Sequence, residues 1–188
     1  CSGLTFIKTH DGITSIEEGA FSNCKGLTYL DIPNSIKKIQ DYLFSHCTKL
    51  SSITIHSNIT NIGNSAFLGC TSLTSINIPN GTSFIGNSAF SGCKGLISVN
   101  ISGSVKFIGD YAFSECEGLK LVIYRGTSDP GKNSPNVFND CPNLKGINFT
   151  ENYQDLVFCG MAIITPKPTE IPSQFTEEEN SKILAISL

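Results

Sequence analysis

The sequence has no apolar run of about 18 residues, the length that a membrane-spanning helix requires, and only 15% of its 188 residues are charged. Basic residues are not in surplus. Thirteen Lys and Arg against 16 Asp and Glu leave a formal charge of −3, so there is no electrostatic reason to expect a nucleic-acid partner. No phosphate loop, zinc-ligand spacing or nucleophile elbow occurs, and neither a catalytic residue, a metal site nor a cofactor is expected. No basic and apolar leader opens the chain, which begins within a repeat and reads as a fragment of something longer, so a missing signal peptide carries no information.

What is present is a period. The stretch "GNSAFSGCKGL" at residues 86–96 returns as "EGAFSNCKGL", "DYLFSHCTKL", "NSAFLGCTSL" and "DYAFSECEGL". Cysteines stand at 1, 24, 47, 70, 93 and 116, each 23 residues apart, and Cys141 follows after 25. Leu4, Leu27, Leu50, Leu73, Leu96, Leu119 and Leu144 keep that step, as do Phe21, Phe44, Phe67, Phe90, Phe113 and Phe138. A fixed period in this range points to a solenoid, and hydrophobic content of 39% suffices to bury a core along it.

One repeat, "CKGLTYLDIPNSIKKIQDYLFSH" from Cys24 to His46, has apolar residues at Leu27, Leu30, Ile32, Ile36, Ile39, Leu43 and Phe44. The alternation Leu30, Asp31, Ile32 predicts a short strand with one buried face. A turn follows at "IPNS", then a second apolar pair at Ile36 and Ile39, then a tight turn and a short helical or irregular segment that ends near the cysteine. A single coil of this kind cannot fold alone; stacking buries the apolar edge of each coil against the next.

Stacking also decides what the cysteines are. Side chains in one column point in parallel, about a strand spacing apart, whereas a disulfide needs converging Cβ atoms near 3.8 Å and zinc needs ligands around one point. The column therefore reads as packing by a small hydrophobe. Cys159 lies outside the frame, and a pairing with Cys141 stays open. His46 precedes Cys47 but adjacent residues do not face each other, and His10 and His56 stand two coils apart, so no nucleophile with its base is expected.

The core "LTYLDIP", "LSSITIH", "LTSINIP" and "LISVNIS" resembles that of leucine-rich repeats, and the continuation "IGNSAFSGC" or "IGDYAFSEC" is similar to the BspA-like, or Treponema-type, subclass. The resemblance covers residues 1 to about 149. It implies a repeat solenoid, grouped with α/β proteins by convention although mostly β: a right-handed leucine-rich repeat coil with short parallel strands and short helical or irregular turns. About six full repeats and a partial seventh fill 1–149, with a C-terminal cap expected at 150–165 and a proline-rich, acidic linker and tail at 166–188. The sixth repeat carries two extra residues in "YRGTSDPGKNSPNVF", read as a bulging loop. The resemblance further implies a non-catalytic cell-surface or secreted binding module of bacteria or parasitic protists, adhering to host matrix proteins, cells or glycans. Free thiols at every repeat also suit an intracellular or structural scaffold or spacer, and that alternative stays open.

On a strand with alternate residues buried, the residues between form rows on the open face. The rows are Phe6, Tyr29, Ser52, Ser75, Ser98, Leu121; then Lys8, Asp31, Thr54, Asn77, Asn100, Ile123; then His10, Pro33, His56, Pro79, Ser102, Arg125. Phe6, Lys8, Tyr29, Asp31, His56, Asn77 and Asn100 are the candidate ligand contacts, with the two aromatics as anchors, although any solvated sheet carries such residues. Phe84 and Phe107 share another column and are expected to stack, either as an exposed pair or partly buried. Asn58, Asn80, Asn100 and Asn148 head Asn-x-Ser/Thr sequences, which matter if the source is eukaryotic and secretory.

Overall fold

The computed structural model describes residues 3–10, 12–150, 152–155 and 157–162. The linker and tail expected at 166–188, and the end of the segment expected to cap the coil, lie outside the described residues.

In chain order the strands are β1 (Phe6–Ile7), β2 (Tyr29–Leu30), β3 (Lys38–Ile39), β4 (Asn61–Ile62), β5 (Ser75–Ile78), β6 (Phe84–Ile85), β7 (Ser98–Ile101), β8 (Phe107–Ile108), β9 (Leu121–Tyr124), β10 (Gly146–Phe149), β11 (Val157–Phe158) and β12 (Met161–Ala162). They form a parallel β-solenoid of about six coils. β1 pairs with β2, and a four-stranded parallel sheet runs in the order β10-β9-β7-β5. A second parallel sheet, β3-β4-β6-β8, is built from the second apolar pair of each coil, Ile36 and Ile39 and their equivalents. In register, Ile76, Val99, Val122 and Ile147 face one another, as do Ile39, Ile62, Ile85 and Ile108.

The core follows the 23-residue frame. Leu27, Leu30, Ile36, Ile39, Leu43 and Phe44 are buried, and so are their counterparts in the next three coils. The phenylalanine column stacks ring on ring, with centroids 5.7, 5.2, 4.9, 5.1 and 5.5 Å apart from Phe21 through Phe44, Phe67, Phe90 and Phe113 to Phe138. Aromatic faces at this separation gain dispersion beyond the area they bury.

Two expectations are modified. The strand expected in the third coil is absent, since Ser51 to His56 form none. In the following coils Ser102 and Arg125 donate N–H to Ile78 and Ile101 one coil back; the fourth coil has Pro79 at that position, which has no N–H to offer Ile55. The segment leading to the cysteine, expected to be helical or irregular, is irregular, and no helix occurs among the described residues. Each of the first five coils places two residues in the left-handed region there, such as Tyr42 and His46 at φ 56° and 58°, which breaks any helix. Its backbone bonds run to the next coil: Tyr42, Phe44 and His46 donate to Asn64, Ala66 and Leu68 at 2.9, 2.7 and 2.6 Å.

After the last full coil, β11 and β12 form an antiparallel hairpin whose two turn residues, Cys159 and Gly160, have φ of 50° and 81°, as a tight primed turn requires. Phe158 of β11 is fully buried among Tyr124, Phe149, Tyr153 and Phe138, at 4.9 to 6.2 Å between ring centroids.

Candidate functional site

The strand face carries the residues that the alternation turns away from the core. Phe6 and Tyr29, in register on β1 and β2, stack with ring centroids 6.4 Å apart, and Phe6 is 54% exposed. The Tyr29 hydroxyl donates to the Asp31 carboxylate. This bond, with some desolvation and the carboxylate's charge, raises the Tyr29 phenol above its ordinary pKa, because removing its proton would leave two anions in contact.

Lys8 and Asp31 are exposed in the next row, and Asn77 and Asn100 continue it. Asn100 donates its side-chain amide to Asn77 at 2.9 Å and accepts from Arg125 Nε at 3.3 Å. The face thus holds a stacked aromatic pair with a carboxylate at one end and a hydrogen-bonded amide pair with a guanidinium at the other.

Between these ends, Thr9, His10, Asp31, Asn34, Thr54 and His56 line a depression of about 430 Å³. The His56 ring places Nε2 3.0 Å from the carbonyl of Pro33. A carbonyl can only accept, so Nε2 carries the proton, and Nδ1 is left as a buried acceptor without a hydrogen-bond partner. Thr9 donates to the Asp31 carbonyl at 2.6 Å, and His10 Nδ1 accepts from Gly12 N–H at 3.1 Å.

The rows do not face solvent throughout. Leu121, Pro33 and Ser102 are buried. Pro33 bears the carbonyl that His56 covers, and Ser102 is held by Asn80 and Ser104 at 2.8 Å each.

The cysteine column packs, and its thiols are free among the described residues. Four of these sulfurs find an acceptor in the Phe column one coil back: Cys47, Cys70, Cys93 and Cys116 donate to the carbonyls of Phe21, Phe44, Phe67 and Phe90 at 3.1 to 3.3 Å. Burial pushes the Cys47 thiol up to about 11 and that of Cys93 to about 12. Such thiols are poor nucleophiles. Cys141, the half-buried member, donates to Phe113 at 3.1 Å, and its contact with Cys116 lowers its pKa. Cys141 and Cys159 are not paired with each other. Among the described residues, no three His, Cys, Asp or Glu side chains gather in a way that could hold a metal ion.

Phe84 and Phe107 do stack, at 5.0 Å and 10° between planes, with Phe107 38% exposed and Phe84 half-buried. They lie on β6 and β8 of the second sheet and not on the strand face. Of the Asn-x-Ser/Thr positions, Asn58 and Asn80 are exposed while Asn100 and Asn148 are half-buried. The Asn58 amide donates to the Asn34 carbonyl at 3.0 Å, and Thr82, which completes the Asn80 sequence, is fully buried on Ile59.

Stacked coils of one repeat, parallel sheets and a continuous column of buried phenylalanine define a leucine-rich repeat solenoid. Residues 1–120 match the BspA type leucine rich repeat region in six copies, and the chain belongs to that family. No curated protein matches it in sequence. A leucine rich repeat protein of T. pallidum is similar at 24% identity over 100% of this chain and 80% of its own, with a TM-score of 0.63. A leucine rich cell surface protein of Faecalibacterium prausnitzii is 24% identical over 78% of this chain and 48% of its own, with a TM-score of 0.61. A leucine-rich repeat protein of Eubacterium ventriosum is 19% identical over 92% of this chain and 62% of its own, with a TM-score of 0.62. These likenesses are of fold. The chain spans less than two thirds of the Faecalibacterium and Eubacterium proteins, and 63% of one from Bacteroides ovatus. Repeat solenoids of this kind present extended surfaces for binding other proteins, and among the described residues no helix is long and apolar enough to cross a membrane.

Proposed function

We propose that this chain is a non-catalytic binding module of a cell-surface or secreted protein, and that it adheres through its strand face to a protein or glycan of host cells or matrix. The observation that carries the reading is the stacked pair of exposed Phe6 and half-buried Tyr29, set beside the Asp31 carboxylate. Tyrosine is among the residue types enriched at the hot spots of interfaces, and the amide row of Asn77 and Asn100 extends the polar contact along the coil. The similar protein of Faecalibacterium is a cell surface protein, which supports the location.

The test is binding of the chain to immobilised matrix proteins and glycans, beside a variant carrying Tyr29→Ser, Asp31→Ser and Asn77→Ala. None of these side chains is part of the buried core, so the variant should melt as the parent does. Saturable binding that the variant loses is the expected result. Binding that survives unchanged removes the strand face from the reading, and binding to no immobilised partner leaves a spacer or scaffold.

A further inference from the structure

The second sheet has a surface of different character. Its outer row is Lys38, Asn61, Phe84 and Phe107, in register along β3, β4, β6 and β8. The residues just before these strands' outer positions are Lys37, Thr60, Ser83 and Lys106. Lys37, Lys38 and Lys106 are exposed, and none is ion-paired among the described residues.

No carboxylate lies in either row, although the chain as a whole carries a formal charge of −3. The closest acidic residues in sequence beyond the strands, Asp41 and Asp110, are engaged by Asn64 and Asn136 in the following turns. The charged side chains within these two rows are therefore all lysines, set around a stacked aromatic pair; one coil on, Ile108 N–H bonds to the Pro130 carbonyl and brings Asp129 up beside Lys106, with its carboxylate turned onto the Gly131 and Cys159 N–H groups. Each ring holds the other, so little side-chain freedom remains to be lost when a partner docks.

We propose that this sheet face binds an acidic peptide segment of a partner protein, with an apolar side chain of that segment against Phe84 and Phe107 and its carboxylates on Lys37, Lys38 and Lys106. Lysines are compact charges without the guanidinium fork, which suits separate carboxylates better than bidentate clamping of phosphate. The geometry sets a spacing as well. Lys38 stands two strands from Phe84, on the order of 10 Å at the usual strand separation. An extended peptide covers that in about three residues, so a carboxylate is expected about three positions from the anchor on one side. The surface is separate from the strand face, and either can fail without the other.

The probe is a random-peptide phage library panned on the intact chain, followed by binding of the enriched peptides in solution. The expected selection is acidic, with one aromatic or aliphatic anchor and a carboxylate at that spacing. Phe84→Ser with Phe107→Ser should weaken binding at least about tenfold, as loss of a central anchor does. Lys38→Glu with Lys106→Glu, which leaves the rings in place, should weaken it several-fold, and added salt should do the same to the parent. The strand-face variant should bind as the parent does. Enrichment of basic or uncharged peptides, no enrichment, or binding that depends on Tyr29 and Asp31 while ignoring Phe84 and Phe107 would each overturn the proposal.

Discussion

The carboxylate of Asp41 accepts two hydrogen bonds from Asn64 one coil further on, from the backbone N–H at 2.8 Å and from the side-chain amide at 3.0 Å. The relay continues along the solenoid. Asn64 Oδ1 accepts from Asn87 N–H, Asn87 Oδ1 accepts from Asp110 N–H, both at 2.9 Å, and the Asp110 carboxylate takes Asn136 as Asp41 takes Asn64. Each side chain satisfies a backbone donor that the turn would otherwise leave unpaired. Asn64→Ala should therefore cost about 1 to 3 kcal/mol, the range for an orphaned partner, read as a lower urea midpoint. A midpoint within error of the parent would show that water replaces the relay.

The glycines before this column are required by close approach. A Cβ at Gly86 would sit 2.6 Å from Asn64 N and 2.7 Å from Gly63 C, and one at Gly109 would sit 2.5 Å from Asn87 N. These are backbone atoms, which cannot swing aside. Gly86→Ala should destabilise by about 1 to 3 kcal/mol or more, as overpacking does. Gly146→Ala, where a Cβ meets nothing within 4 Å, should leave thermal unfolding nearly unchanged. Equal effects at the two positions would contradict the packing account.

Phe90 is fully buried between Phe67 and Phe113 at 4.9 and 5.1 Å. Phe90→Ala is expected to cost about 3 to 5 kcal/mol, whereas Phe21→Ala, at a half-buried site with one neighbour in the column, should cost less. Chemical denaturation of the two variants compares them directly.

The thiols give a pH signature. Cys93 has an ordinary value of 9.0 and is pushed to about 12 by burial, so between those values the unfolded chain has lost a proton that the folded chain retains. Fewer protons on the unfolded state mean that stability falls as pH rises. The contribution is whole below about pH 9 and is lost progressively up to about pH 12. The urea midpoint should drop across that window, and Cys93→Ala should flatten part of the drop. At neutral pH a thiol reagent should label half-exposed Cys141 before the buried Cys47, Cys70, Cys93, Cys116 and Cys159, as peptide mass mapping would report; prior labelling of Cys93 would contradict its burial.

At the far end, Asp129 accepts from Gly131 N–H at 2.8 Å and from Cys159 N–H at 3.0 Å to both oxygens. This carboxylate fastens the turn of the β11–β12 hairpin to the sixth coil's long loop. Asp129→Ala should raise amide exchange at 157–161 well above the parent, with little change in the first coils. Uniform protection in both proteins would mean that Phe158 alone holds the hairpin.

The sequence by itself determined the repeat, its coil-by-coil core and the packing role of the cysteines. A 23-residue period forces equivalent residues into columns, and the buried columns Leu27, Leu30, Ile39 and Phe44 were legible as apolar positions recurring at fixed offsets. The Phe84–Phe107 stack and the outward course of Phe6, Tyr29 and Asp31 followed from the same frame. Only the tertiary structure decided what happens between columns. The Asp41–Asn64 relay, the second sheet, the missing third-coil strand and the inward turn of Ser102 and Pro33 depend on where a side chain of one coil meets the backbone of the next. A repeat length states that two residues are neighbours, but the lateral offset and the direction of each side chain, which set hydrogen bonding and burial, are fixed only when the coils are stacked.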